Sequence, residues 1–203
     1  MIASIGTTSF DGAQEGAAKG AIESTFKWLL DRSVEPTAAL RLTDTLFIAL
    51  AILGVTLVYV LGVRGMATVR GAPPIRTLLS GFAHTLIPIA LAYLVAHYFS
   101  LFVFQEQAQF TYLLSDPLGT STTDLFGTAS GGVDYRVIST NAIWYVQVGS
   151  LVVGHVIGLT LAHDRATALW GDYRQAARSQ YWMLAVMVAF TCFGLYLLSV
   201  ANS

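Results

Sequence analysis

The sequence predicts an all-α integral membrane protein, a bundle of four transmembrane helices with an amphipathic N-terminal surface helix and an ordered extracytoplasmic loop. Composition is the first observation: 55% of the 203 residues are hydrophobic and 11% are charged, against about a quarter charged in soluble domains. The mean hydropathy of +0.62 points the same way. The third observation is a set of four apolar runs, each long enough for the roughly 20 helical residues that cross a bilayer.

These runs divide the chain into an extracytoplasmic N-terminal segment, residues 1–43, and a transmembrane domain, residues 44–203. In hydrocarbon, only helices and closed barrels satisfy every backbone hydrogen-bonding group, and the runs lack the alternation typical of barrel strands. We therefore predict transmembrane helices at about residues 44–64, 77–104, 142–163 and 181–200.

Residues 16–31 are predicted to form the surface helix. Helical spacing places Phe26 and Leu29 on one side of this stretch, with Trp28 nearby. Such an apolar side is typical of a helix that lies in the membrane interface. The sequence before it begins MIASIGTTSFDG and lacks the charged and apolar regions of a signal peptide.

Arginine distribution predicts the orientation of the bundle. The long connection, residues 105–141, contains only Arg136, whereas the two short connections are rich in arginine. The positive-inside rule places the short connections in the cytoplasm, so the long connection and both termini are expected outside the plasma (inner) membrane. The arginines at the short connections are Arg64, Arg70 and Arg76, and Arg165, Arg174 and Arg178.

The long connection at residues 105–141 is expected to be ordered. It is rich in glycine, serine, threonine and aspartate, with phenylalanine, tyrosine and leucine interspersed. Loops longer than about 12–15 residues without regular structure are usually functional or disordered. The apolar residues in this one favour a loop folded onto the helices.

Charge and cysteine content exclude several kinds of partner and site. A formal net charge of −1 gives no reason to expect nucleic acid. The single cysteine, Cys192, permits no intrachain disulfide and no cysteine-based zinc site.

Gly154 and Gly158 have the spacing that lets membrane helices approach closely. The expected partners are the lipid bilayer and either other membrane subunits or further copies of the chain.

Two histidines, His84 and His155, lie inside predicted spans and are candidate cofactor ligands. With a rise of about 1.5 Å per residue, each is roughly 10–12 Å from the cytoplasmic end of its helix, so the two could meet at one level. Ionisable residues inside a membrane suggest function. The pair could ligate haem b or hold copper or another transition metal. Alternatively, each histidine forms only a structural hydrogen bond to a neighbouring helix.

A third histidine, His97, lies near the extracytoplasmic end of the second span. Together with Glu106 and Asp116 it could bind a metal or perform acid–base chemistry beneath the long loop. The alternative is that these carboxylates are simply solvated on the loop. The fourth histidine, His163, is expected at the cytoplasmic interface.

Several long strings make the chain resemble a known family. They are GTTSFDG at 6–12, FAHTLIPIALAYLVAHYFSLFVFQ at 82–105, WYVQVGSLVVGHVIGLTLAHDRA at 144–166 and SQYWMLAVMVAFT at 179–191. Together they resemble the C-terminal half of a polytopic membrane family of actinobacterial type, often labelled fenitrothion hydrolase. The resemblance implies hydrolysis of organophosphorus esters. Because that family is about twice as long, it also implies that this chain is a half-length version, a fragment or one chain of an assembly.

Three functions follow from these observations. The first is a membrane hydrolase in which the long loop and Asp11 cover a site near His97, with carboxylates drawn from Glu106, Asp116, Asp124 and Asp134. Hydrolysis of phosphotriesters usually uses a metal-activated water. The second is a metal- or haem-binding subunit of a respiratory or oxidase-type complex. The third is an accessory subunit without chemistry of its own.

Overall fold

The computed structural model describes residues 1–14, 16–119, 124–127 and 131–201, and within these ranges it contains helices and no strand. Four helices are long and apolar enough to cross a membrane, which confirms the predicted all-α membrane bundle. They are the third, fifth, sixth and seventh in chain order. The helices are α1 Ile2–Gln14, α2 Lys19–Leu30, α3 Pro36–Met66, α4 Ile75–Ala83, α5 Leu86–Ser115, α6 Thr140–Trp170 and α7 Tyr173–Ala201.

The long helices pack in the order α5, α6, α7 and α3, and α1 lies against α3, α5 and α7. We call the end of the bundle where residues 116–139 connect α5 to α6 the loop end. The opposite end, where α3 leads to α4 and α6 leads to α7, is the arginine end.

Small residues set the distance between α5 and α6, as their spacing predicts. A Cβ atom added at Gly158 would lie 2.9 Å from the Thr85 carbonyl oxygen. One added at Gly154 would lie 2.8 Å from the Pro88 carbonyl oxygen and would overlap the side chain of Ala92. Both separations are shorter than van der Waals contact, so only glycine permits this approach.

The second predicted span, residues 77–104, is not one helix. It is interrupted at His84 and Thr85, so that a short α4 precedes a long α5. Pro88 explains the interruption, because proline has no N–H to donate to the carbonyl of residue 84 and its ring clashes with that carbonyl. The His84 carbonyl accepts instead from Ile87 N–H at 3.1 Å, and the Thr85 hydroxyl donates to the Phe82 carbonyl at 2.7 Å. The polar groups freed by the break therefore find local partners.

Helix α1 is an element that the sequence did not predict. Its side chains Ile5 and Phe10 are buried in the bundle, whereas we expected only a surface helix in residues 1–43. A Cβ atom at Gly6 would lie 2.8 Å from Cα of Ile52, so glycine lets α1 pack directly on the backbone of α3. Helix α1 thus forms part of the bundle interior.

Helix α2 forms within residues 16–31, where we predicted the surface helix, and none of its residues is buried. The guanidinium of Arg32 lies 3.8 Å above the ring of Trp28, a pairing of cation and aromatic face suited to an interface. Glu35 then caps α3, and its carboxylate accepts a hydrogen bond from Ala38 N–H at 2.9 Å. Hydrogen bonds from the Thr37 and Ala38 backbone and from the Thr37 hydroxyl lower the pKa of the Glu35 carboxyl.

The long connection is shorter than predicted, because α5 continues through Ser115 and α6 begins at Thr140. Its described residues fold back onto α5. The Gln107 side chain accepts from Asp134 N–H at 2.9 Å and donates to the Asp134 carbonyl at 3.2 Å. Leu125 N–H donates to the Ser115 carbonyl at 3.0 Å. These bonds attach the connection to the helix end.

Candidate functional site

Three side chains with acid–base chemistry meet where α1 packs against α5. The Tyr98 hydroxyl donates a hydrogen bond to Oδ2 of Asp11 at 2.6 Å. The His97 ring meets the Tyr98 ring edge-on, with 4.7 Å between ring centres, and lies close enough to Asp11 for their charges to interact. We call Asp11, His97 and Tyr98 the Asp11 cluster.

The packing of α1 explains why these residues meet. Gly6 rests on Ile52 near the middle of α3, so the following turns of α1 run toward the loop end beside α5. Ser9 comes to lie beside Tyr93, and Asp11, two residues farther along α1, meets Tyr98, five residues farther along α5. Of these two adjacent residues on α5, Tyr98 bonds the Asp11 carboxylate directly, and His97 packs against the Tyr98 ring within electrostatic range of that carboxylate.

The Asp11 cluster lies against a membrane-spanning helix, where ionisable groups are costly. Such residues usually pair with each other and mark functional sites. A carboxylate that accepts a phenolic hydrogen bond beside an imidazole contains the groups needed for general acid–base catalysis. The same contacts also fix α1 to α5, so the cluster has a structural role as well.

The predicted metal group of His97, Glu106 and Asp116 does not form. Helix α5 is continuous through Ser115, so Asp116 lies about 28 Å along the helix axis from His97 at 1.5 Å per residue. We expected a loop from residue 105, which would have let these carboxylates fold back. Within the described ranges, no group of three or more histidine, cysteine, aspartate or glutamate side chains is arranged to hold a metal ion.

The loop carboxylates Asp124 and Asp134 belong to the connection that is bonded to α5 at Ser115 and Gln107, ten or more residues beyond His97. Asp134 is exposed, and its side chain accepts a hydrogen bond from Arg136 N–H at 2.8 Å. Asp124 is exposed as well. Of the predicted hydrolytic carboxylates, Asp11 is the one that the described structure brings within electrostatic range of His97, and it arrives there on α1.

The predicted partners His84 and His155 differ in their surroundings. His84 is exposed at the break between α4 and α5, whereas His155 is 9% exposed in the interior of α6. The contact of Gly158 with Thr85 places His84 about one helical turn nearer the arginine end than His155. This arrangement gives no support to a ligand shared by the two imidazoles, and their cofactor stays a prediction.

His155 nevertheless has an unusual hydrogen-bonding pattern. Its Nδ1 lies 2.7 Å from the Leu151 carbonyl oxygen. Because that oxygen can only accept, Nδ1 carries the proton and Nε2 is left as an acceptor. Nε2 is buried and has no hydrogen-bond partner in the described structure. Histidines that bind metals are commonly oriented in this way, by donating their other N–H to a backbone carbonyl.

An apolar cavity of about 570 Å³ lies on the opposite side of α1, between that helix, α3 and α7. It is open on one side, and among the residues that the structure describes Ser9 is the only polar one in its lining. The sequence did not reveal it, because it depends on the position of α1. The lining residues are Ser9, Phe10, Ala13, Ala18, Phe47, Leu50, Ala51, Gly54, Val55, Val58, Ala189, Phe190 and Phe193.

Comparison with known proteins found no matching family model, no matching curated sequence and no matching solved structure. The resemblance read from the sequence strings is therefore neither supported nor contradicted by these comparisons. The most distinctive geometry among the described residues is the Asp11 cluster at the contact of α1 with α5.

Proposed function

We propose that the protein is a membrane hydrolase of apolar esters, with Asp11, His97 and Tyr98 as its acid–base group. The observation that carries the proposal is the hydrogen bond of 2.6 Å between Tyr98 and Asp11, with His97 beside them. The family resemblance supports the same reaction class and names organophosphorus esters as substrates. Carboxylate and imidazole pairs are a common means of activating water.

In this proposal each residue of the Asp11 cluster has a separate role. His97 accepts a proton from water as the water oxygen attacks phosphorus. The phosphorus–oxygen bond to the aryloxide breaks, which yields a phosphodiester and a free aryloxide. The Asp11 carboxylate stabilises the imidazolium that forms, and Tyr98 holds that carboxylate in place. The proton then leaves His97 for solvent.

Hydrolysis of a chromogenic phosphotriester by the purified full chain tests this proposal. Asp11→Asn removes the charge that stabilises the imidazolium and is expected to slow release of the aryloxide by about 100-fold or more. Tyr93→Phe is the matched control, because Tyr93 lies at the same helix contact but outside the cluster. An inactive parent protein, tested with a series of divalent metals, would contradict the proposal, and so would an Asp11→Asn variant of full activity.

We further propose that the loop end is extracytoplasmic and that the membrane is the plasma (inner) membrane. The six arginines of the short connections lie at the other end of the bundle and support this orientation. Labelling of intact cells with a membrane-impermeant maleimide tests it. With Cys192 replaced by serine, Ser139→Cys at the loop end is expected to react and Arg70→Cys is not. The reverse pattern would contradict the orientation.

A second candidate function is a metal- or haem-binding subunit of a larger membrane complex. The free, buried Nε2 of His155 favours it, because the Leu151 carbonyl fixes the ring with that nitrogen available as a ligand. An absorption spectrum and metal analysis of the purified protein test this candidate, with His155→Ala as the comparison. Haem or a stoichiometric metal, lost in the variant, would support it. A colourless and metal-free parent would contradict it.

A further inference from the structure

The cavity between α1, α3 and α7 has the shape and chemistry of a site for a hydrocarbon chain. Its α3 wall consists of apolar residues that recur at helical spacing from Phe47 to Val58. At 1.5 Å per residue this wall is about 16 Å long. Half of a hydrocarbon core of about 30 Å is nearly the same length. The length of the cavity wall therefore matches the thickness of the hydrocarbon in one leaflet of a bilayer.

The position of the cavity indicates what fills it. Its α3 and α7 walls belong to membrane-spanning helices, so its open side faces hydrocarbon. The part of the cavity nearest the loop end lies at the turn between α1 and α2, where Ala18 contributes to the lining. The next residue, Lys19, is exposed at the start of α2. A bilayer whose hydrocarbon fills the cavity would have its headgroups at the level of this residue. A phospholipid would place its acyl chain among the phenylalanines and its phosphate near this ammonium.

We infer that the cavity is a specific binding site for one acyl chain of a bilayer phospholipid from the leaflet at the loop end. The site differs from the Asp11 cluster, because α1 lies between the two: Phe10 and Ala13 line the cavity, whereas Asp11 bonds to Tyr98 on α5. Because the two sites are separate, binding of an acyl chain does not depend on the proposed hydrolysis. The volume of the cavity is within the roughly 300–1,000 Å³ of typical ligand pockets.

Gly54 offers a direct way to fill the cavity without disturbing the helices. A Cβ atom at Gly54 meets nothing within 4 Å, so Gly54→Leu places its side chain in the open space. Gly149 supplies the matched control. It is an exposed glycine within α6 whose added Cβ would also meet nothing within 4 Å, and it does not line the cavity. Both substitutions change helix propensity equally.

Native mass spectrometry of the full chain, titrated with dioleoylphosphatidylcholine in detergent, tests the inference. The parent and Gly149→Leu are expected to retain one phospholipid per chain, and Gly54→Leu is expected to lose it. The same lipid should raise the melting temperature of the first two proteins and not of the third. Equal retention by Gly54→Leu, or no retention by the parent, would overturn the inference. A dimer that dissociates in Gly54→Leu would overturn it too, by showing that a second copy occupies the cavity.

Discussion

The hydroxyl of Tyr98 donates to Oδ2 of Asp11 across 2.6 Å, although 87 residues separate the two along the chain. This bond joins α1 to α5 inside the part of the protein that crosses the membrane. A hydrogen bond to a charged group contributes more to stability than one between neutral groups. The contact therefore has consequences for folding that are measurable separately from any catalysis.

Tyr98→Phe is expected to lower the free energy of unfolding by about 1.5–3 kcal/mol, because the variant keeps the ring and loses the bond to the Asp11 carboxylate. Titration of the detergent-solubilised protein with a denaturing detergent measures this loss. Tyr93→Phe serves as the control and should cost less, since Ser9 is uncharged. Equal losses in the two variants would mean that the carboxylate adds nothing to the contact.

Gly154→Ala is expected to destabilise the bundle by about 1–3 kcal/mol, the usual effect of inserting a methyl group into a packed interior. The new Cβ would overlap the Ala92 side chain and approach the Pro88 carbonyl, which would force α5 away from α6. Gly149→Ala, which adds the same methyl in open space, is the control. The same unfolding titration compares them. A Gly154→Ala variant as stable as Gly149→Ala would show that the helices do not pack this closely.

The cap of α3 predicts a dependence on pH. The folded state lowers the pKa of Glu35, so the capping carboxylate stabilises the helix start when the pH is above the ordinary pKa of the group. That contribution is lost as the pH falls through the lowered value. The melting temperature of the parent should therefore drop more than that of Glu35→Gln below about pH 4, because glutamine accepts hydrogen bonds without titrating. Parallel curves for the two proteins would contradict the cap.

How well the sequence predicts each feature of this fold depends on how far apart in the chain the interacting residues are. The four spans were predictable, because a long apolar run such as that of α7 indicates a membrane helix whichever helices pack beside it. The close contact at Gly154 and Gly158 was also predictable from spacing alone. The break in the helix before Pro88 was not predictable, since a proline inside an apolar run can either bend a helix or break it.

The candidate site was less predictable, because it depends on contacts between distant residues. Helix α1 is short and rich in small polar residues, and it packs closely on α3 because Gly6 fits against Ile52. Asp11 meets His97 and Tyr98 only after that packing. The expectation that His84 faces His155 assumed an unbroken second span, and the break leaves His84 exposed.

The rate of aryloxide release from a chromogenic phosphotriester, measured side by side for the parent and His97→Gln, tests the central claim most directly. Glutamine keeps a polar side chain of similar size and cannot accept the proton from water. The account predicts hydrolysis by the parent and a loss of about 100-fold or more in His97→Gln when both proteins are folded at the assay temperature. Equal rates in the two proteins would contradict the assignment of His97 as the base.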